Sequence, residues 1–242
     1  MSDEETKLPP DRDALIRFSR FKLHGRKKGI LKRGESDWLP GRLQQLHPAW
    51  DVSRDETLHR WGANPETSRL WLEIGFGNGE TLTHLASHYS EDRFIGVDVF
   101  LEGISALLRR MERCNLANIA LESGNIVELL ETKNIVGLFD RVMINFPDPW
   151  PKKRHHKRRL IQKDFLHLLA TAMRTGGILT LATDWPEYGE WMLDHLETHL
   201  SFSNLYGPRQ AAPEPSFWLP TRFQQKGEAA GRPILHIAYR RI

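Results

Sequence analysis

From residue 69 onward, short apolar runs alternate with segments in which apolar residues recur every three or four positions. The first run, 70–74, precedes a segment in which Leu82, Leu85 and Tyr89 share one helical face. Further predicted strands cover 94–98, 119–121, 139–144, 178–183 and 234–239, with helical patterns among them. This alternation predicts an α/β fold with a mostly parallel sheet and helices on both faces. The glycine pair at 176–177 is expected to end the helix before the fifth strand.

The first 64 residues show no such period, and their charged residues are mixed with glycines. This composition favours an extended chain over a packed one. We therefore predict a basic, partly flexible N-terminal arm at 1–64 that contains short helical pieces, followed by a folded domain at 65–242.

The 242-residue chain is 40% hydrophobic and 27% charged, with a mean hydropathy of -0.49. No apolar stretch approaches the roughly 18–20 residues that a membrane-spanning helix needs, and residues 1–13 are acidic and polar, unlike a signal peptide. We therefore expect a cytoplasmic protein without a membrane anchor. Because Cys114 is the only cysteine, disulfides and thiolate zinc sites are excluded, and no metal site is expected.

The 34 Lys and Arg residues nearly balance the 31 Asp and Glu residues, which gives a formal net charge of +3. The basic residues are clustered, however. One cluster runs from Arg17 to Arg33 with no acidic residue inside it, and a second, 152–159, includes His155 and His156. Cations placed on phosphates release counterions, so the two clusters favour a nucleic-acid partner over solvated loops. The two histidines are expected to face RNA or solvent, because no carboxylate at metal-site spacing accompanies them.

Glycines dominate the junction after the first strand, which reads G-F-G-N-G from Gly75. Gly75 and Gly77 let the backbone approach a ligand, and the following helix N-terminus offers N–H donors to an anionic group. A dinucleotide fingerprint requires a glycine where Glu80 stands. The turn therefore favours the smaller carboxylate of S-adenosylmethionine, and the alternative is a packing turn without a ligand.

Three polar side chains lie in or directly after the predicted strands. Glu73 interrupts the apolar first strand, where a ligand ammonium or a lysine would satisfy its carboxylate. Asp98 ends the second strand, so it can accept hydrogen bonds from both hydroxyls of a ribose or cap the next helix. Asn125 follows the third strand and can bind an adenine or cap a helix.

The most distinctive segment, 145–150, reads N-F-P-D-P-W. Its two prolines fix an extended backbone after a strand and hold Asp148 at the carboxyl edge of the sheet, where open α/β sheets bind ligands. The basic block that follows places phosphate contacts beside it, and the alternative is a structural turn. Asp184 follows the fifth strand on the same edge and either contacts a ligand or caps a helix.

These segments together resemble the bacterial tRNA (guanine-N7-)-methyltransferases. The resemblance is carried by L-E-I-G-F-G-N-G from Leu72, F-P-D-P-W from Phe146 with the basic run after it, and T-D-W from Thr183. It covers about residues 22–239 and implies a class I methyltransferase domain with a seven-stranded sheet. It also implies that S-adenosylmethionine is used to methylate N7 of guanosine 46 in the variable loop of tRNA.

The resemblance assigns residue roles by motif. The residues expected to contact the methyl donor are Glu73, Gly75, Gly77, Asp98, Asn125 and Asp148, of which Asp148 is also the expected catalytic residue. The residues expected to contact tRNA are Lys152, Asp184, Thr221, Arg222, Phe223 and Gln224. Two positions depart from the family pattern. This chain has Asn125 where the family commonly has Asp, and Gln224 where it commonly has Glu. The second change removes a charge and leaves the role of 221–224 open.

Guanine N7 already carries a lone pair, so catalysis should come mainly from in-line placement and electrostatics. Two other functions stay open from the sequence. Asn145 before the prolines also suits an amino-group methyltransferase acting on RNA or protein, although Phe146 and Asp148 interrupt the usual Asn-Pro-Pro-aromatic order. A catalytically inactive RNA-binding module is the non-enzyme alternative. The chain is expected to be a monomer or a homodimer.

Overall fold

The computed structural model describes residues 34–216, 219–220 and 222–242. Seven strands form one sheet, namely β1 (Leu70–Ile74), β2 (Arg93–Asp98), β3 (Ile119–Ser123), β4 (Phe139–Asn145), β5 (Met173–Thr183), β6 (Phe202–Asn204) and β7 (Leu235–Arg241). Their order is β3-β2-β1-β4-β5-β7-β6. The first five strands are parallel, and β7 runs antiparallel between β5 and β6. The predicted mostly parallel, seven-stranded sheet is therefore confirmed.

Helices cover both faces of this sheet, as predicted. They are α1 (Glu35–Leu46), α2 (Arg54–Arg60), α3 (Glu80–His88), α4 (Leu101–Arg113), α5 (Ile126–Thr132), α6 (Lys163–Ala172), α7 (Pro186–Glu197) and α8 (Arg222–Ala229), and a 3-10 helix spans Lys153–Arg158. Trp71 of β1 packs with α3 and α4, whereas its neighbour Leu72 joins the cluster that contains α5, α6 and α7. Both faces of β1 are thus apolar, which is typical of a parallel strand covered on both sides. Among the described residues, no helix is long and apolar enough to cross a lipid bilayer.

Helices α1 and α2 fall within the segment predicted to be an arm, of which residues 1–33 lie outside the described part. Leu39 and Leu43, one helical turn apart in α1, are buried in the cluster that contains α3 and α4. Leu58 of α2 is buried on the opposite face of the sheet. Short helical pieces are therefore present, but their apolar side chains pack against the domain instead of extending from it. The division of the chain at 64/65 stays a prediction.

The prediction that the glycine pair at 176–177 ends a helix was wrong. Strand β5 begins directly after α6, so both glycines lie inside the strand. Five positions separate Met173 from Ile178, whereas their partners on β4 are two positions apart, so β5 bulges at this point. Gly176 has a φ of 83°, and a Cβ on Gly177 would lie 2.9 Å from a backbone oxygen of the bulge. The glycines therefore serve the bulge.

Candidate active site

The glycine turn between β1 and α3 adopts a backbone that favours glycine. Gly75, Gly77 and Gly79 have φ values of 73°, 57° and 70°. A Cβ atom on Gly75 or Gly77 would meet nothing within 4 Å, so the turn borders open space on that side. The N–H of Gly77 donates to Oδ2 of Asp98 at 2.7 Å. The turn is therefore fixed in shape and accessible to a ligand.

Helix α4 packs against the opposite side of the turn. A Cβ atom on Gly103 would lie 2.1 Å from the carbonyl oxygen of Gly77, and one on Gly79 would lie 2.6 Å from the side chain of Leu107. A larger residue at either glycine would push α4 away from the turn. This close approach fixes the backbone on which a ligand would rest.

Glu73 is buried at the end of β1 with one carboxylate oxygen unsatisfied. Nδ2 of Asn145 donates to its Oε1 at 3.2 Å, and Oε2 has no hydrogen-bond partner among the described residues. Burial, with a smaller contribution from the charge of Asp98, raises the pKa of Glu73 to about 8. The lysine considered as an alternative partner is not found in the described part of the chain. An orphaned buried oxygen beside the glycine turn fits the ammonium group of an amino-acid-like cofactor.

Glu73 should make the stability of the ligand-free protein depend on pH. A carboxyl whose folded pKa is raised stabilises the fold below its unfolded pKa of 4.5, and this contribution is lost as the pH rises through about 8. At pH 7 the penalty is on the order of 3 kcal/mol. We expect Glu73→Gln, which cannot ionise, to melt at a higher temperature than wild type at pH 8 and to gain less over wild type at pH 5.

Thermal unfolding from pH 5 to pH 9 measures this difference, with the exposed Glu91→Gln as the matched control. The control should follow the wild-type pH profile. Parallel profiles for wild type and Glu73→Gln would show that the buried carboxyl is not the source of the pH dependence.

Asp98 and Asn125 both make the capping or turn contacts that the sequence offered as alternatives to ligand binding. Oδ1 of Asp98 accepts from the N–H of Phe100 at 2.9 Å, in addition to the bond from Gly77. Oδ1 of Asn125 accepts from the N–H of Val127 at 3.0 Å and caps α5. Because a carboxylate or amide oxygen has two lone pairs, one such contact does not by itself prevent a second hydrogen bond. Ribose and adenine contacts of the two residues stay predictions.

The segment 145–150 leaves β4 at the edge of the sheet where the glycine turn leaves β1. The two strands are parallel neighbours, with Ile74 paired to Ile144, so the two segments begin side by side. Phe146 and Trp150 have φ values of 50° and 45°, which a non-glycine side chain rarely adopts. Asp148, between them, is exposed. Strained residues at a ligand-binding edge are typical of functional loops.

Arg159 is buried and holds the segment 145–150 through a hydrogen bond to its backbone. Arg159 is only 1% exposed, and its Nε donates to the carbonyl oxygen of Pro149 at 2.8 Å. Its two terminal nitrogens donate to both oxygens of Glu187 at 3.1 and 2.6 Å, and this contact holds the pKa of Glu187 below its usual range. The guanidinium lies 5.0 Å from the ring of Tyr188 and 4.9 Å from that of Trp191. The basic block 152–159 was predicted to contact phosphates, and for Arg159 this prediction is wrong, because the side chain is buried.

The other cations of the basic block are exposed or half-buried. Of the two histidines expected to face RNA or solvent, His156 does not, because its Nε2 is buried and its ring lies 5.6 Å from that of Trp191. Lys152, Lys153 and Arg154 are exposed at the start of the 3-10 helix. The guanidinium of Arg158 lies 5.1 Å from the ring centroid of Trp150, which ties the block to the proline-flanked segment. Exposed cations directly beside Asp148 are suited to contact the backbone of a nucleic acid.

Helix α8 covers Asp184, which lies after β5. Nε and Nη2 of Arg232 both donate to Oδ2 of Asp184, at 3.0 and 2.7 Å. A Cβ on Gly227 would lie 2.8 Å from Cβ of Asp184, so the helix passes very close. Gln224 is buried, and its Nε2 donates to Oε1 of Glu228 at 2.8 Å. The structure therefore gives both predicted tRNA-contact residues intramolecular partners.

The remaining residues of the segment predicted to contact tRNA are described less fully. Arg222 and Phe223 begin α8, and Thr221 lies outside the described residues.

Two contacts that build the site were not predicted at all, namely the bond from Asn145 to Glu73 and the anchor formed by Arg159. The only sequence signal for the bond from Asn145 to Glu73 was that each residue is a polar one near the end of a predicted strand.

Comparisons with known proteins agree with this architecture. A family model described as "Putative methyltransferase" matches residues 67–237. The aminoglycoside resistance methyltransferase NpmB1 superimposes with a TM-score of 0.54 at 15% identity, over 81% of this chain and 98% of that one. The 16S rRNA (adenine(1408)-N(1))-methyltransferase from Catenulisporales acidiphilia gives 0.52 at 18% identity, over 81% and 97%. These likenesses confirm the class I methyltransferase fold.

Relatives in sequence are more informative about the family. A tRNA (guanine-N(7)-)-methyltransferase from Magnetococcus marinus is 46% identical over 96% of this chain and 92% of its own length. The protein of the same name from Leifsonia xyli is 41% identical over 93% of this chain and 96% of its own length. With this identity over nearly the whole length of both relatives, the chain belongs to the tRNA (guanine-N(7)-)-methyltransferase family.

Proposed function

We propose that this chain transfers a methyl group from S-adenosylmethionine to N7 of a guanosine in tRNA. The observation that carries the proposal is the hydrogen bond from Asn145 to Glu73, which joins the proline-flanked segment to the strand end beside the glycine turn. A methyl donor on the turn and a base held by Asp148 would then meet at one edge of the sheet. The sequence resemblance points to guanosine 46 in the variable loop. We further propose that the reaction is cytoplasmic and that the chain acts as a monomer or homodimer.

When bound, S-adenosylmethionine supplies an electrophilic methyl group that the lone pair of guanine N7 can attack without prior loss of a proton. Glu73 would hold its ammonium group, because Oε2 is buried without a partner. Gly75 and Gly77 would let its carboxylate approach the backbone of the turn. Asp98 would accept hydrogen bonds from the ribose hydroxyls, and Asn125 would contact the adenine.

Asp148 would hold the target base and balance its charge. Its carboxylate can accept hydrogen bonds from the N1 and N2 donors of guanine, and it offsets the positive charge that methylation at N7 leaves on the ring. Trp150 or Phe146 would offer a stacking surface to a base splayed out of the tRNA fold. The exposure of Asp148 suits a partner that arrives from solvent.

The exposed start of the basic block would hold the tRNA backbone. We expect the triple change of Lys152, Lys153 and Arg154 to Ala to weaken tRNA binding and to lower the slope of log K against log salt by up to about 3, because each cation on a phosphate contributes about 0.9. Binding of S-adenosylmethionine should be unchanged, since the three side chains lie outside the glycine turn. Filter binding at several salt concentrations measures the slope.

A triple variant with the same loss of charge is the matched control. Arg60, Arg113 and Lys133 are exposed and distant in sequence from the block, so their replacement by Ala should leave the salt slope near the wild-type value. Equal slopes in the two triple variants would remove the block from the tRNA interface.

The segment 221–224 and Asp184 are retained as proposed tRNA contacts. In the free protein, Asp184 is engaged by Arg232, so a tRNA group that reaches Asp184 would share it with this guanidinium. Because Gln224 replaces a common glutamate and is buried in α8, we propose that it orders α8 and contacts tRNA only through that helix.

The proposed activity is tested with purified protein, methyl-labelled S-adenosylmethionine and an unmodified tRNA transcript. We expect label to enter the transcript, and a transcript with adenosine in place of guanosine 46 should take up little or none. Equal labelling of both transcripts would favour the amino-group alternative or a different site. Retained tRNA binding without labelling of either transcript would favour the inactive RNA-binding module.

A further inference from the structure

A groove lined by charged side chains lies at the amino edge of the sheet, opposite to the edge that carries the glycine turn. Its volume is about 450 Å³, and it is lined by Arg69, Arg141, Arg174 and Arg240 and by the glycine bulge of β5. Strands of five to seven residues separate the two edges, which corresponds to roughly 20 Å. The proposed methyl transfer does not use this groove.

The register of the sheet brings two of these arginines together. Arg141 of β4 and Arg240 of β7 both pair with Ile178 of β5, so the three residues form one row across the sheet. Residues in one such row point to the same face, and two strand spacings place the Cα atoms of the two arginines about 10 Å apart. Arg69 enters the groove from the residue before β1, and Arg174 enters from the bulge.

The arginines that line the groove outnumber the carboxylates that line it. Asp140 is the one carboxylate among the lining residues. It already accepts from Arg54 at 2.8 Å, from the N–H of Leu70 at 2.7 Å and from Arg174 at 2.9 Å.

The three other arginines lack such a partner. No carboxylate in the described part of the chain lies within 4.0 Å of the guanidinium nitrogens of Arg69, Arg141 or Arg240. Burial is the main cause that lowers the pKa of Arg141, and the charge of Arg69 adds to it, whereas the charges of Asp140, Asp92 and Tyr89 act in the opposite direction. The guanidinium of Arg141 also lies 5.8 Å from the ring centroid of Trp71.

We propose that this arginine groove binds phosphate groups. Guanidinium groups match the oxygens of a phosphate with paired hydrogen bonds, and several of them in one groove can engage two successive phosphates. These phosphates belong either to a small anion such as pyrophosphate or a nucleotide, or to a stretch of tRNA backbone that reaches past the methyl-transfer edge. The proposal does not depend on the reaction that the opposite edge performs.

The test uses the full chain and the double variant Arg69→Gln with Arg240→Gln, because both side chains are exposed. The control is Arg60→Gln with Arg113→Gln, which removes the same charge from exposed helix positions elsewhere. Sodium pyrophosphate is added during thermal unfolding, and tRNA binding is measured at several salt concentrations. Binding of S-adenosylmethionine is recorded for each variant to show that the opposite edge is intact.

Two results would support the groove and identify the source of the phosphates. If the ligand is a small anion, pyrophosphate at tenfold excess over its Kd should raise the melting temperature of wild type and control by roughly 3 °C but not that of the groove variant. If the ligand is tRNA, pyrophosphate should have little effect, and the salt slope should fall by about 2 in the groove variant alone.

Two other results would overturn the proposal. A pyrophosphate effect that persists in the groove variant, together with an unchanged tRNA salt slope, would place the phosphate site elsewhere on the protein. Unchanged tRNA slopes together with no response to pyrophosphate in wild type would show that the groove binds no phosphate. Failure of methyl transfer itself would appear in the activity assay and would leave these binding results unaffected.

Discussion

Replacing Asp148 with alanine is expected to lower the rate of methyl transfer by at least about 100-fold, because it removes a preorganised charge at the position where positive charge develops on the base. The fold should be retained, since the side chain is exposed and its loss opens no cavity. Single-turnover rates with saturating tRNA and S-adenosylmethionine measure the chemical step, and thermal unfolding reports the stability of the variant.

Two further variants separate charge from shape in this experiment. Asp148→Asn keeps the size of the side chain but removes its charge, and it should lose most of the rate as well. Asp51→Ala, at an exposed position before α2, is the control and should retain the wild-type rate. A wild-type single-turnover rate in Asp148→Ala would remove this carboxylate from the mechanism.

Replacing Arg159 with methionine is expected to destabilise the protein by about 2–4 kcal/mol. Methionine roughly fills the buried volume, but it cannot donate to Pro149 or to Glu187, and it loses the stacking on Tyr188 and Trp191. Urea unfolding at pH 7 measures the free energy of unfolding. Arg154→Met, in the exposed part of the same block, is the control and should change stability by less than about 0.5 kcal/mol.

Arg159 should also affect the reaction, because it positions the proline-flanked loop. In folded Arg159→Met we expect a lower kcat with an unchanged affinity for S-adenosylmethionine, since the glycine turn is held by other contacts. Arg159→Lys keeps the charge but not the paired hydrogen bonds with Glu187. Its kcat should therefore lie between those of the wild type and Arg159→Met. If Arg154→Met and Arg159→Met weaken tRNA binding equally without loss of stability, Arg159 is a phosphate contact after all.

The strands of the central sheet could be predicted because each is covered on both faces and therefore reads as an apolar run. The strand β6 was missed because it has only three residues, of which Phe202 alone is buried. Helix α1 was predicted only as a helical piece without bounds, for a related reason, since its contribution to the core comes chiefly from Leu39 and Leu43 and one proline lies inside it. Short elements with one or two buried side chains leave too weak a period to detect.

Some features of the site depend only on the local sequence, and others depend on contacts between distant parts of the chain. Glycines at positive φ and prolines after a strand act through their own backbone, so their positions predicted the turn and the loop. The orientation of Arg159 depends on Glu187, 28 positions away in the chain. Nothing within the run of cations at 152–159 distinguishes the buried arginine from its exposed neighbours, because that distinction arises only when α7 packs beneath the loop.

The most direct test of the account is to locate the modified nucleotide. An unmodified tRNA transcript is incubated with the purified protein and S-adenosylmethionine, then reduced with borohydride and treated with aniline, which breaks the chain only at 7-methylguanosine. We expect one break, at guanosine 46, that disappears when Asp148→Ala replaces the wild-type protein. Methylated tRNA that resists this cleavage would contradict it, because the methyl group would then lie on an atom other than guanine N7.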